Sequence, residues 1–327
     1  TKKNGETRYG FKAHVVRGDT IGPLPELDRF LWHLDEPFYA ANLFLNWAID
    51  RCAREQGVDV ILNGYGGDAI VSHGTAFLAE LARLGRWITL AREIASLSRN
   101  QQRSAWDILK AKTLGPLAPS AVRRLWRLMR GRTMSSWRLD NCTINPTFAH
   151  RVGLEERGDQ LRHAWMASVR TARQEHWRHL TSGYYTFGLE IMDRVAAAHS
   201  VEVRYPFYDL RVAELCLALP PEQKLSDGWT RLITRRALAG ILPEMIRWRA
   251  GKASMAPNFV RALDLHERER IDEVVLKKPH LIERYIDISA LRQAYERFSK
   301  WKSKEDGSNM WIAVTLGLWL ERAQVEQ

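Results

Sequence analysis

Val58-Asp59-Val60-Ile61-Leu62-Asn63-Gly64-Tyr65-Gly66-Gly67-Asp68 is an apolar run that breaks abruptly into a glycine-rich turn ending on a carboxylate. Val58 to Leu62 reads as a strand, and the turn after it as a phosphate loop. Gly64, Gly66 and Gly67 would let backbone N–H groups crowd against an anion, with Asn63 beside them as a further nucleotide-site residue, and Asp68 could hold the Mg²⁺ that a phosphate ester brings with it. The same glycine pattern also serves turns in which small residues only permit tight packing. On local grounds both readings stand.

Working outward, Leu27 to Leu34 is short and apolar-periodic and stops at Asp35-Glu36-Pro37, because proline restricts the residue before it and lacks an N–H. Ala40 to Gln56 carries Leu43, Trp47 and Cys52 near helical spacing, with Gly57 as its stop. The helix expected after the loop runs through Phe77, Leu78, Leu81 and Leu84 to Gly85. A helix-strand-loop-helix unit of α/β type follows, with the loop at the carboxyl end of its strand, where open parallel sheets bind ligands. Beyond about residue 86 no further strand stands out. Leu180 to Ala198, Leu210 to Leu219, Trp229 to Leu242 and Met310 to Arg322 show apolar stripes, and no repeat of solenoid period occurs.

A chain of 327 residues that is 45% hydrophobic can bury one or two cores. No apolar run approaches the roughly 20 residues needed to span a bilayer, so a membrane is not an expected partner. Cys52, Cys142 and Cys216 are too few and too scattered for a disulfide framework or a Cys-x-x-Cys metal site, which fits a reducing cytoplasm. The first residue is Thr1, and material upstream of it is expected. The net charge of +11 and 13 tryptophans raise nucleic acid as a partner. Much of the excess, however, lies in Arg123, Arg124, Arg127, Arg130, Arg132 and Arg138, interleaved with Leu125, Trp126, Leu128 and Trp137. That spacing gives an amphipathic helix with a basic face, which solvation alone explains and which could also dock an acidic peptide.

A second dense cluster comprises Gly188-Leu189-Glu190-Ile191-Met192-Asp193-Arg194, then His199-Ser200-Val201-Glu202-Val203-Arg204-Tyr205-Pro206-Phe207-Tyr208-Asp209, then Leu219-Pro220-Pro221-Glu222-Gln223-Lys224. Charges alternating with apolar residues imply ion pairs at the edge of a core. With the Gly64–Asp68 loop, Thr230-Arg231, and Leu242-Pro243 followed by Arg249 and Lys252, these blocks resemble, in order, the motifs of the synthetase domain of the asparagine-synthetase family. The resemblance spans about Asp35 to Lys252.

It implies an α/β, parallel-sheet ATP-pyrophosphatase (adenine nucleotide alpha hydrolase-like) domain, incomplete at its N-terminus, with a nucleotide-site part over about 1–85 and a mainly helical part over about 86–327. It also implies an ATP- and Mg²⁺-dependent, AMP-forming amide ligase. Asparagine synthetases usually carry an acidic residue where Tyr65 stands, whereas ring-closing β-lactam synthetases carry tyrosine, and Glu190 falls where those cyclases place its partner. Tyr65 and Glu190 therefore resemble a cyclase dyad, which is sensible because a phenol with a pKa of about 10 needs a carboxylate beside it to act as base near neutrality. Lys252, one residue later than the family's lysine, would steady the acyl phosphate, and Arg231 matches a lysine that meets phosphate.

Leu219 to Leu225 with Gly228 to Arg231 is most similar to lasso-peptide macrolactam cyclases, which would bring a peptide carrying both carboxylate and amine, and a leader-binding partner protein. An asparagine synthetase or other small-molecule amide ligase is the second reading, and a peptide- or nucleic-acid-binding module the third. Neither the family's Ser-Gly-Gly-x-Asp-Ser loop nor its glutaminase domain stands in this sequence. Either an upstream part supplies that loop or the chain is an inactive remnant, and the joint presence of Tyr65, Asp68, Glu190 and Lys252 favours the former. Ser72 and His73 read as a helix-start serine and a packed histidine, and His176 and His179 near Glu175 lack a further ligand pattern.

Overall fold

The computed structural model of the protein describes residues 10–24, 26–37, 40–118, 143–166, 169–251 and 255–325. Helices α1 (Leu27–Leu34) and α2 (Leu43–Glu55) lead to strand β1 (Val60–Leu62) in the order the periodicity predicts, with α2 starting after Ala40 and β1 after Val58. Asp35 ends α1 in a left-handed conformation, its N–H donating to the Leu31 carbonyl, and Gly57 at φ +73° turns the chain out of α2.

After β1 the expected single helix is two. α3 (Gly67–Val71) stops where Ser72 and Gly74 both take positive φ, and α4 (Phe77–Arg83) starts beyond them. Ser72 thus ends a helix rather than starting one, and its hydroxyl accepts the Gly74 N–H at 3.2 Å. Further on lie α5 (Trp87–Gln101), α6 (Ala172–Leu180) and α7 (Gly183–Ala197).

The expectation that no strand follows residue 86 is corrected at three places. β2 (Glu202–Arg204) pairs in parallel with β1, in the register Val60↔Glu202, Ile61↔Val203, Leu62↔Arg204. It escaped notice because Val203 is its one buried residue, while Glu202 and Arg204 pair with each other at 2.6 Å on the exposed side. The small sheet therefore draws on both sides of residue 85. After α8 (Leu210–Ala218), β3 (Leu225–Ser226) and β4 (Trp229–Thr230) form an antiparallel hairpin. Asp227 and Gly228, both at positive φ, make its turn, so α9 (Leu232–Ala237) begins three residues later than the apolar stripe suggested.

The described chain is mostly helical. Its main core joins α1, α2 and α7 to α10 (Ala256–His266), α11 (Ile288–Trp301) and α12 (Lys304–Val325), around Phe30, Trp47, Val195, Phe259, Phe298 and Trp311. A second cluster holds α4 and α5 together through Leu78, Leu81, Leu90 and Leu97. A third, of Ile70, Val71 and Cys216 with Phe207, Tyr208 and Ile233 against them, lies under the glycine loop. Among the described residues no helix is long and apolar enough to cross a membrane.

Candidate active site

The parallel pairing of β1 with β2 brings the first two sequence clusters together. Asn63 continues the ladder, donating its N–H to the Arg204 carbonyl at 2.8 Å, and its side-chain oxygen accepts the Tyr65 N–H at 2.8 Å. This asparagine turn aims the loop away from the strand.

The two readings of the glycines then divide by position. Gly66 sits at φ +81°, and a side-chain carbon there would collide with the Tyr208 ring. One at Gly67 would lie 3.0 Å from Phe207. Both are packing glycines. At Gly64 an added carbon meets nothing within 4 Å, so the fold itself makes no steric demand for glycine there.

Asp68, in the first turn of α3, accepts a hydrogen bond at 2.5 Å from the Arg231 guanidinium, across 163 positions of sequence. Its other carboxylate oxygen lies 3.9 Å from His73, which is half-exposed rather than packed. Arg231 takes a left-handed φ of +54° at the start of α9, an unusual backbone for a side chain with a Cβ. The hairpin before it is rigidly placed. The buried Glu93 carboxylate on α5 accepts the N–H groups of Asp227 at 3.1 Å and Gly228 at 3.0 Å, and Gly228 leaves no room for a side chain against the Ser96–Leu97 backbone.

Beside Arg231 a cavity of about 310 Å³ is lined by Arg235, Arg247, Arg249 and Gly251. Arg235 donates to the carbonyls of Thr230, Arg247 and Arg249 and stacks on Trp229, while Arg247 forks onto Glu244 at 2.7 Å. These two arginines frame the cavity, with their donors committed to the fold.

Tyr65 leans on α7. Its hydroxyl occupies the space that a side chain at Gly188 would need, two residues before Glu190 on the same helix. Its ring meets Tyr185 and Tyr205 edge-on, with centroids 6.4 and 6.3 Å away. The hydroxyls of Tyr205 and Tyr208 are buried without a hydrogen-bond partner among the described residues. Burial first, then the nearby Asp193 and Asp50 for Tyr205 and Tyr65 for Tyr208, pushes both phenols up to about 12, so they stay neutral.

The structure thus gathers Asn63, Gly64, Tyr65, Gly66, Gly67, Asp68 and Arg231 at one place and sets Tyr65 on the helix of Glu190. Lys252 lies outside the described residues, directly after Gly251 of the cavity wall, and the basic stretch of 123–138 also lies outside them. No group of three or more potential metal-ligating His, Cys, Asp or Glu side chains occurs among the described residues. His176 turns inward to backbone carbonyls, and His179 lies 3.4 Å from Glu175. The sequence reading missed Glu93, Phe207 and Tyr208 as supports. Glu93 had a signal, an acid on the apolar stripe Leu90-Ile94-Leu97.

Residues 7–321 match the family described as Asparagine synthase. The chain belongs to the asparagine synthase family. Family relatives include a putative glutamine-hydrolysing asparagine synthetase of Mycobacterium tuberculosis, 25% identical over 319 residues, or 94% of this chain and 45% of the relative. The glutamine-hydrolysing asparagine synthetase of Rattus norvegicus is 35% identical over 114 residues, 32% of this chain and 20% of that protein. The chain therefore spans less than half the length of these relatives. No solved structure matches it.

Proposed function

We propose that this family member is an ATP-dependent, AMP-forming amide ligase and that it closes a macrolactam in a peptide. The supporting observation is the meeting of Asp68 and Arg231 at a glycine turn whose Gly64 faces open space. A carboxylate oxygen of the substrate attacks the α-phosphorus of ATP and pyrophosphate departs. The amine then attacks the acyl carbon, and AMP leaves with the electron pair of the broken C–O bond. In this reading Asn63 and Gly64 present backbone to the phosphates, Gly66 and Gly67 fix the turn, and Arg231 binds phosphate with its planar fork.

Asp68 is a hard oxygen donor with 39% of its side chain exposed, which suits Mg²⁺; the ion would neutralise phosphate charge. Tyr65, supported by Glu190, takes the proton that the amine loses. Lys252 balances charge on the carbonyl oxygen and the leaving AMP. A peptide substrate with a leader-binding partner protein fits this reading. Asparagine synthesis is the second reading, favoured by the names of the relatives.

The test is ATP–pyrophosphate exchange by the intact protein with a linear precursor peptide and, separately, with aspartate. Exchange dependent on the peptide supports the cyclase, exchange with aspartate alone supports the small-molecule ligase, and none with either removes the enzyme reading. Tyr65→Phe should spare exchange while blocking ring closure. Equal loss of both half-reactions would remove Tyr65 from the base role.

A further inference from the structure

A buried polar bridge lies between the helix that carries Asp68 and the turn that carries Arg231, and the proposed chemistry leaves it unused. His176 on α6 is 1% exposed, and its Nε2 stands 3.0 Å from the carbonyl oxygens of both Ala69 and Ile70 on α3. Two acceptors facing that nitrogen place the ring proton on it. Nδ1 is then a bare acceptor, and it receives a hydrogen bond at 3.0 Å from the ammonium of Lys224, itself 2% exposed.

Lys224 immediately precedes β3, and its carbonyl accepts the N–H of Leu232, the residue after Arg231, at 3.1 Å. Gly74, at φ +72°, makes room for it, since a side chain there would lie 2.8 Å from the Lys224 Cβ. One continuous path therefore joins α3, His176, Lys224 and the first turn of α9.

We propose that His176 and Lys224 are a positioning pair that fixes the distance between Asp68 and Arg231 and thereby keeps the anion site assembled. This rests on the reading of Asp68 and Arg231 as a nucleotide site. The apolar cluster at this place is small, and apolar contact is non-directional, so it resists separation of α3 from α9 without fixing their register. Hydrogen bonds with defined acceptors do fix it. Packing alone would be served better by an apolar side chain, because a buried ammonium is costly. Burial indeed pushes the Lys224 amine down to about 8; Cys216 and Glu175 face it with the opposite tendency, and Arg173 with the same.

Three variants of the intact protein separate positioning from folding. His176→Phe leaves the Lys224 charge buried without its acceptor, and the melting midpoint should fall. The double variant His176→Phe with Lys224→Met removes that charge, and the midpoint should return most of the way. Yet its KM for ATP in the exchange assay should stay raised about tenfold or more, and, without nucleotide, amides of 69–71 and 232 should exchange about tenfold faster than in the unsubstituted protein. His176→Gln keeps a donor towards Ala69 and Ile70 and an acceptor for Lys224, so both readouts should stay within about threefold of it.

A double variant with unchanged KM and unchanged amide exchange overturns the proposal, as does His176→Gln exchanging as fast as the double variant. Should the unsubstituted protein show no ATP-dependent exchange, the ligase reading fails, and amide protection alone judges the bridge.

Discussion

Phe30, Trp47, Phe259, Phe298 and Trp311, each 2% exposed or less, fill the core shared by α1, α2, α7 and α10 to α12. The cluster under the glycine loop has Ile70, Val71 and Cys216. Around that thin patch stand Asp68 with Arg231, Glu93 with the hairpin turn, and Lys224 with His176. The helical core draws its stability from area removed from water, which tolerates small displacements. The floor of the site draws its shape from a few directional contacts, so losing one should disturb its geometry even where stability is restored.

The largest expected effect lies in the core. Phe259→Ala removes a ring set edge-on to Trp311 at 5.5 Å and should cost roughly 3–5 kcal/mol in denaturant unfolding, as large-to-small core changes do. A cost below about 1 kcal/mol would show that this core is not the main store of stability.

Protonation sharpens the contrast. His199, edge-on to Trp47, has a buried Nε2 without a hydrogen-bond partner among the described residues, and burial pushes its imidazole from 6.5 down to about 4. Between those values the unfolded chain binds the proton and the folded one does not. Stability from this group is complete above pH 6.5 and is lost as the pH falls towards 4. Asp50, pushed up to about 6 by burial, works with the opposite sign between 3.8 and 6. Comparing melting midpoints of His199→Gln with the unsubstituted protein isolates the imidazole, and the variant should lose less stability across that window. Lys224, in the site floor, acts at the other end. Its folded value of about 8 lies below the unfolded 10.5, so stability should rise from pH 8 to 10.5 and this rise should vanish in Lys224→Met.

A smaller effect on stability is expected at Arg231. Arg231→Gly loses a part-exposed ion pair worth up to about 1 kcal/mol and relieves a left-handed backbone costing about as much. Unfolding should shift by less than about 1 kcal/mol, while ATP–pyrophosphate exchange should fall on the order of 10²- to 10³-fold. A large loss of stability would make Arg231 a structural residue.

The half of the site written as one continuous run was legible in the sequence: strand, glycine-rich turn and Asp68 follow from local chemistry. The motifs also brought Arg231 and Tyr65 into the reading by resemblance. What stayed hidden depends on contacts across the chain. β2 lacks an apolar run, since Val203 alone faces inward, and β3 and β4 are two residues each. The packing role of Gly66 and Gly67 needed Tyr208 and Phe207 in place, 142 and 140 positions away. The partners of His176 stayed hidden because spacing along a helix says nothing about the carbonyls of another helix that its ring meets.

Gly64 offers the most direct test, since it is the loop glycine that the fold leaves with open space. Gly64→Ala should leave unfolding within about 0.5 kcal/mol of the unsubstituted protein and weaken calorimetrically measured Mg–ATP binding about tenfold or more, because the added methyl would stand where the proposed phosphate meets the backbone. Unchanged affinity in a normally folded variant would contradict a nucleotide site at this turn.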